Sequence, residues 1–283
     1  MAVLALKLIL APAFVVGASL TARRFGPRIG GLVGGLPVVA GPILLVLAII
    51  HDRAFATRSA TTSLLGLVSL SAFVLVYGFA AQRLRWPATL ALAWLAFLAM
   101  TAFASAFHIA ATPALVVAFA SFALARAVLP IPAAGSAPTA VAPGPCRAMG
   151  HMDPLFDTVP GPRRVVAPPS WDLPVRAACA AAMVLAITAA SAGLGPRLSG
   201  LLAPSPIITT VLAAFTHAQL GSDATLRLLR GMLTGFFAFA LFCWTVALTL
   251  PHTSIALAFA LATAVALLTQ AAILGGEVVG SRP

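Results

Sequence analysis

Of 283 residues, 61% are hydrophobic and only 8% are charged, and the mean hydropathy is +1.07. Soluble domains carry roughly 25% charged residues, so this chain has too few to cover a water-facing surface. The net charge of +11 does not point to nucleic acid: the cations stand singly or in pairs at the ends of apolar stretches, with no basic stripe and no stacking aromatics.

Apolar segments of about 20 residues recur, the length that crosses roughly 30 Å of hydrocarbon. The pattern predicts an all-α, polytopic membrane protein with nine spans: Val3–Leu20, Ile29–Ile50, Thr61–Ala81, Pro87–Phe107, Ala110–Leu129, Val175–Leu194, Leu198–His217, Leu226–Leu250 and Thr253–Leu274. A single helix from Pro87 to Leu129 would be about 64 Å long at 1.5 Å per residue, too long for one crossing. The polar, proline-containing "SAFHIAATP" (Ser105–Pro113) breaks it into a hairpin.

Lys and Arg concentrate in cytoplasmic loops. With the first loop inside, only Arg53, Arg58 and Arg197 fall outside and Lys7 lies within span one; the other thirteen fall inside. The expected orientation is N-terminus out and C-terminus in, across the inner or plasma membrane of a bacterial cell. Arginines follow span one instead of preceding it, which argues against a cleaved signal peptide.

Residues 130–174 are proline-rich and lack apolar periodicity, which predicts an extended cytoplasmic linker able to recruit a protein partner. Cys146 and His151 in "CRAMGH" are too few for a structural metal site, which takes four ligands, so no metal is expected. Trp171 and Arg176 read as interfacial anchors at the entry to span six.

The chain repeats itself. At an offset of 169, Gly26, Pro27, Arg28, Gly31, Leu32 and Pro37 fall on Gly195, Pro196, Arg197, Gly200, Leu201 and Pro206, while Lys7 meets Arg176. After a slip of three residues "LAIIH" (Leu47–His51) faces "AAFTH" (Ala213–His217). Spans one to four (residues 1–108) thus match spans six to nine (175–283), with span five (109–129) and the linker between them. An odd number of crossings before the second copy inserts it upside down, so an inverted-topology repeat is expected, the architecture of many secondary transporters.

Spans interrupted by Gly and Pro at matching positions are the sequence pointer to a midplane transport site. Here they offer Gly35, Pro37, Gly41 and Pro42 in span two, and Pro204, Ser205 and Pro206 with the hydroxyls of Thr209 and Thr210 in span seven. Small residues and kinks also serve close helix packing, and that reading stays open beside the first. His51 and His217 end the two broken spans and are the candidates for proton coupling or polar anchoring. Lys7 and Arg176, a few residues inside their spans, either snorkel to the head groups or attract an anionic solute or lipid. Gln270 and Tyr77 are placed to hydrogen-bond between helices. All six acids fall in loops or near span ends, so no intramembrane carboxylate is evident. No nucleophile elbow, HExxH, Walker loop or paired carboxylate exists at useful spacing, so neither an enzyme nor a cofactor is expected.

A basic residue in one span followed by a GLxxxxP-like element in the next resembles small bacterial membrane proteins of the GlpM type. Lys7 with "GLVGGLP" (Gly31–Pro37) and Arg176 with "GLLAPSP" (Gly200–Pro206) carry the resemblance, over about 45 residues of each half. It implies an integral membrane protein, here doubled, and names no substrate. The inverted repeat with its matched broken spans makes the expected function a permease or exporter of a small uncharged or anionic solute, in contact with membrane lipids. The alternative is a non-transporting membrane scaffold or accessory protein of envelope processes.

Overall fold

The structure, a computed structural model, describes residues 2–37, 40–50, 52–107, 109–132, 171–191 and 205–280. His51, Pro204, the turn matching Gly26–Arg28 and nearly all of the linker lie outside them. Among the described residues every regular element is a helix: α1 (Ala2–Phe25), α2 (Pro27–Gly34), α3 (Ala40–Ile50), α4 (Arg53–Ala80), α5 (Trp86–Ser105), α6 (Ala111–Val128), α7 (Asp172–Ser191), α8 (Ile207–Thr249) and α9 (Ile255–Gly280). Six of them, α1, α4, α5, α6, α8 and α9, are long and apolar enough to cross a membrane. The chain is an integral membrane protein of the helical class.

The nine helices among the described residues equal the nine spans expected, but they divide the chain differently. Span two is two pieces, α2 and α3. Spans seven and eight are joined in α8, whose ladder is interrupted at Gly221 (φ 82°, ψ −175°). That conformation belongs to glycine, and the chain reverses there. Ile208, Leu212 and Met232 all come within 4 Å of one point beside Gly34. In a straight helix residues 212 and 232 would stand about 30 Å apart. Arm 207–220 and arm 222–249 are therefore a hairpin. Gly26 (φ 92°, ψ 162°) makes the same reversal between α1 and α2, so that Gly30 lies directly on Ala22, with Pro27 taking the first helical position where its missing N–H costs nothing.

Helix ends follow local chemistry more than hydropathy. The hydropathy limit of span three is Thr61, yet α4 begins eight residues earlier because Asp52 caps it, accepting from the Phe55 N–H at 2.6 Å. The expected break between spans four and five is present, with α5 ending at Ser105 and α6 starting at Ala111, but both helices pack on α4 more than on each other. α7 begins at Asp172, three residues before the expected span, with an acid in its first turn that favours the helix N-terminus.

Side-chain contacts set the directions. Arg23 meets Asp172, Arg230 bonds Leu129, and a Cβ on Gly78 would touch Leu129 and Leu226. One end of the bundle thus collects the end of α1, the starts of α2 and α7, the ends of α4 and α6, and the Gly221 turn. The opposite end holds the start of α4, the α5–α6 turn, and Trp244, whose indole donates to the Thr112 hydroxyl at 3.4 Å. Arg23, Arg28, Arg126, Arg176 and Arg230 share the first end; Arg53 and Arg58 lie at the second.

The tightest crossing lies between α2 and arm 222–249, which run in the same direction. Gly31 and Gly35 face Gly231 and Gly235, two GxxxG pairs spaced one turn apart. A Cβ on Gly31 would sit on the Leu228 carbonyl oxygen, and one on Gly231 on that of Arg28. A Cβ on Gly35 would come within 2.8 Å of the Gly235 Cα. Lipid tails are as apolar as leucine, so membrane helices gain little from apolar burial against each other; backbone approach of this kind supplies dispersion contacts instead. Around it pack Tyr77, Phe73, Phe97, Phe122 and Phe236, all fully buried.

Candidate functional site

Span two breaks where its sequence removes donors and adds freedom. α2 stops at Gly34 with Gly35 as its C-cap, and Pro37 has no N–H to continue the ladder. α3 restarts with the Gly41 N–H donating to the Pro37 carbonyl at 2.8 Å. A break in hydrocarbon leaves carbonyls that protein must satisfy. The Leu32 carbonyl accepts from the Gly35 N–H and also from the buried Gln270 amide of α9, at 3.1 Å. Gln270 therefore makes the interhelical bond expected of it, and its partner is the frayed end of α2.

Beside the break lies a cavity of about 340 Å³. Leu36, Pro37, Gly41, Pro42 and Leu45 form one wall; Phe242 of α8 and Phe259, Thr263, Ala266 and Leu267 of α9 form the other. The lining is almost wholly apolar. Among the described residues its one hydroxyl, on Thr263, already donates to the Phe259 carbonyl at 2.8 Å. Gly41 admits the Phe242 ring: a Cβ there would stand 3.2 Å from Cζ.

The span-two candidates therefore divide. Pro37, Gly41 and Pro42 line the cavity, while Gly35 is spent on the crossing with Gly235. The span-seven candidates lie elsewhere. Half-buried Ser205 and buried Pro206 precede arm 207–220, and the Thr210 N–H donates to the Pro206 carbonyl at 2.7 Å. Thr209 and Thr210 are buried, and the Thr210 hydroxyl accepts from the Trp94 indole of α5 at 3.1 Å. The two broken segments still touch, since Leu212 and Ile208 cover Gly34. What sequence reasoning missed is the far wall, because Phe242, Phe259 and Ala266 are ordinary residues of spans eight and nine.

His217 meets the Tyr77 ring edge-on, with centroids 6.0 Å apart. Lys7 falls in the opening turns of α1, its side chain outside the described set. Arg176 is buried in a polar cluster that joins α1, α7 and arm 207–220. Its Nε donates to Asp172 at 2.8 Å, and a second nitrogen donates to the Gln219 amide oxygen at 3.0 Å. Arg23 and the Gln219 amide nitrogen donate to the same carboxylate. The Phe215 ring lies 4.7 Å beneath the guanidinium. Asp172, ahead of the apolar run of α7, is fully buried. Burial raises its pKa, but the hydrogen bonds from Gln219, Arg176 and Arg23 outweigh it and hold the carboxyl below its ordinary range. In sequence Asp172 read as a loop acid; its position four residues before Arg176 was the available signal. Among the described residues no three His, Cys, Asp or Glu side chains come together as a metal would require.

Comparison of the chain with protein-family models, with curated proteins and with solved structures finds no match.

Proposed function

We propose that the chain is a permease or exporter for a small, uncharged and largely apolar solute, and that the solute occupies the cavity at the α2–α3 break. The observation that carries this reading is the cavity itself. It lies where a helix is interrupted, is walled by both halves of the chain, and has a volume suited to a small ligand. Its lining disfavours the anionic solute that the sequence left open, since among the described residues no cation lines it and Arg176 is bound to Asp172.

In the same reading the halves are inserted in opposite senses, with the arginine-rich end of the bundle cytoplasmic, the N-terminus outside and the linker inside. The gathering of Arg23, Arg28, Arg126, Arg176 and Arg230 at one end supports that orientation through the positive-inside rule. The backbone-to-backbone contact of α2 with arm 222–249 favours the second reading, a non-transporting scaffold, because it locks the halves together.

Vesicles loaded with a mixture of small uncharged and anionic solutes, with efflux followed by mass spectrometry, decide between them. Transport predicts faster loss of an uncharged solute than from protein-free vesicles. It also predicts that this loss disappears in Ala266→Phe, which fills the cavity, and in the Pro37→Leu/Pro206→Leu pair. If no solute leaves faster than from protein-free vesicles, the scaffold reading stands.

A further inference from the structure

A second collection of cations lies apart from both the cavity and the Asp172 cluster. Arg126, in the last turn of α6, meets Arg230 of arm 222–249 across the seam between the two helices. Arg126 donates to the Thr234 hydroxyl and, at 3.4 Å, to the Arg230 carbonyl. Arg230 donates to the Leu129 carbonyl at 2.8 Å. Every one of these acceptors is neutral. Arg126 and Arg28 both lie near enough to Arg230 to repel it.

The bond to Leu129 is what the carbonyl end of α6 offers any cation. It accounts for neither the second guanidinium nor the donors left over, since each guanidinium carries five N–H groups in a planar fork. Two half-buried guanidiniums that repel each other and rest on neutral acceptors offer donors from both to an anion. Phosphate oxygens match the geometry of the fork.

The seam continues below the arginines. Phe237 lies seven residues deeper than Arg230, about 10 Å along the helix. Its half-buried ring meets Phe119 of α6 edge-to-face, with centroids 4.9 Å apart. A cationic upper rim above half-buried aromatic rings is the profile of a head group above an acyl chain.

We propose that the α6–α8 seam binds an anionic phospholipid at the arginine-rich end of the bundle. Arg126 and Arg230 grip its phosphate, and Phe119 and Phe237 receive its chain. Free phosphate shares the head-group chemistry but would leave the aromatic rings without a partner in the lipid phase. The proposal is independent of whether the chain transports anything.

The test uses the purified full chain in neutral detergent, titrated separately with phosphatidylglycerol, phosphatidylcholine and inorganic phosphate, with binding read by native mass spectrometry. Each arginine near a lipid surface contributes about a fivefold gain in affinity. Phosphatidylglycerol should therefore bind about twenty- to thirtyfold tighter than phosphatidylcholine, and Arg126→Gln and Arg230→Gln should each lose about fivefold of that preference. Equal affinity for the two lipids, or unchanged preference in both variants, overturns the site. Inorganic phosphate displacing the lipid at equal concentration overturns the lipid as its occupant. Should a variant fail to fold, photoactivatable phosphatidylglycerol on the wild type decides: adducts on peptides within 111–132 and 226–240 support the seam, and adducts confined to other helices refute it.

Discussion

The α2–α8 crossing makes a quantitative prediction from one added methyl group. Gly231→Ala places its Cβ on the Arg28 carbonyl oxygen and 3.1 Å from the Leu32 nitrogen, both of them backbone atoms that no rotamer change can move. To restore an ordinary contact near 3.4 Å, α2 must retreat by about 1 Å. Gly31, Gly35 and Gly235 then lose their contacts together, because the helices move as rigid rods. Overpacking of this kind costs about 1–3 kcal/mol, and the rigid neighbour puts it at the upper end. Against it stands the gain of about 1 kcal/mol that alanine brings over glycine inside a helix. The net expectation is a loss of roughly 2 kcal/mol. Gly17→Ala in α1 has nothing within 4 Å of its new Cβ and should show the gain alone. Equilibrium unfolding in mixed detergent micelles should therefore move the two midpoints in opposite directions. If both variants shift alike, the helices do not meet backbone to backbone and the crossing described here is wrong.

Three further outcomes follow from single positions. Asp172→Asn leaves Arg176 buried without its carboxylate and should cost about 3–5 kcal/mol in the same unfolding assay. Because the Asp172 carboxyl titrates below its ordinary range in the folded chain, its contribution is complete above about pH 4 and lost as the pH falls through the depressed value; wild-type stability should fall there more steeply than that of the Asn variant, and parallel curves would refute the assignment. Gln270→Leu removes the donor to the Leu32 carbonyl and should lose about 1–2 kcal/mol while speeding amide exchange at Gly34–Leu36; unchanged exchange would mean the break needs no cap. Gly221→Ala forces a side chain into a left-handed backbone and should cost about 1–3 kcal/mol, read as a lowered unfolding midpoint; an unaltered midpoint would count against the reversal.

How far the sequence discloses this arrangement depends on which physical signal each feature uses. Membrane class, the break between α5 and α6 and the interruption at Gly35–Pro37 are legible because hydropathy and missing backbone donors are properties of a segment by itself. The start of α4 at Arg53 is not legible from hydropathy, since a single Asp52 side chain sets it. Gly31, Gly35, Gly231 and Gly235 look alike in sequence whether they kink, pack or line a path, and only their partners across the bundle tell these roles apart. Pro37 and Gly35 stand two residues apart, yet one faces the cavity and the other Gly235. Gln219, Arg23 and Asp172 were unremarkable until three helices carried them to one point. Arg126 and Arg230 counted only as orientation signals, because a tally of loop charges does not reveal which cations share a seam.

If the two halves of the chain cross the membrane in opposite senses and meet where α2 is broken, positions 28 and 197 stand on opposite faces. Labelling with a membrane-impermeant thiol reagent in intact cells, using single cysteines at Arg28 and Arg197 in a chain otherwise free of cysteine, tests it most directly. Arg197→Cys should react from outside and Arg28→Cys only after the membrane is opened. Reaction of both from the same side would contradict it.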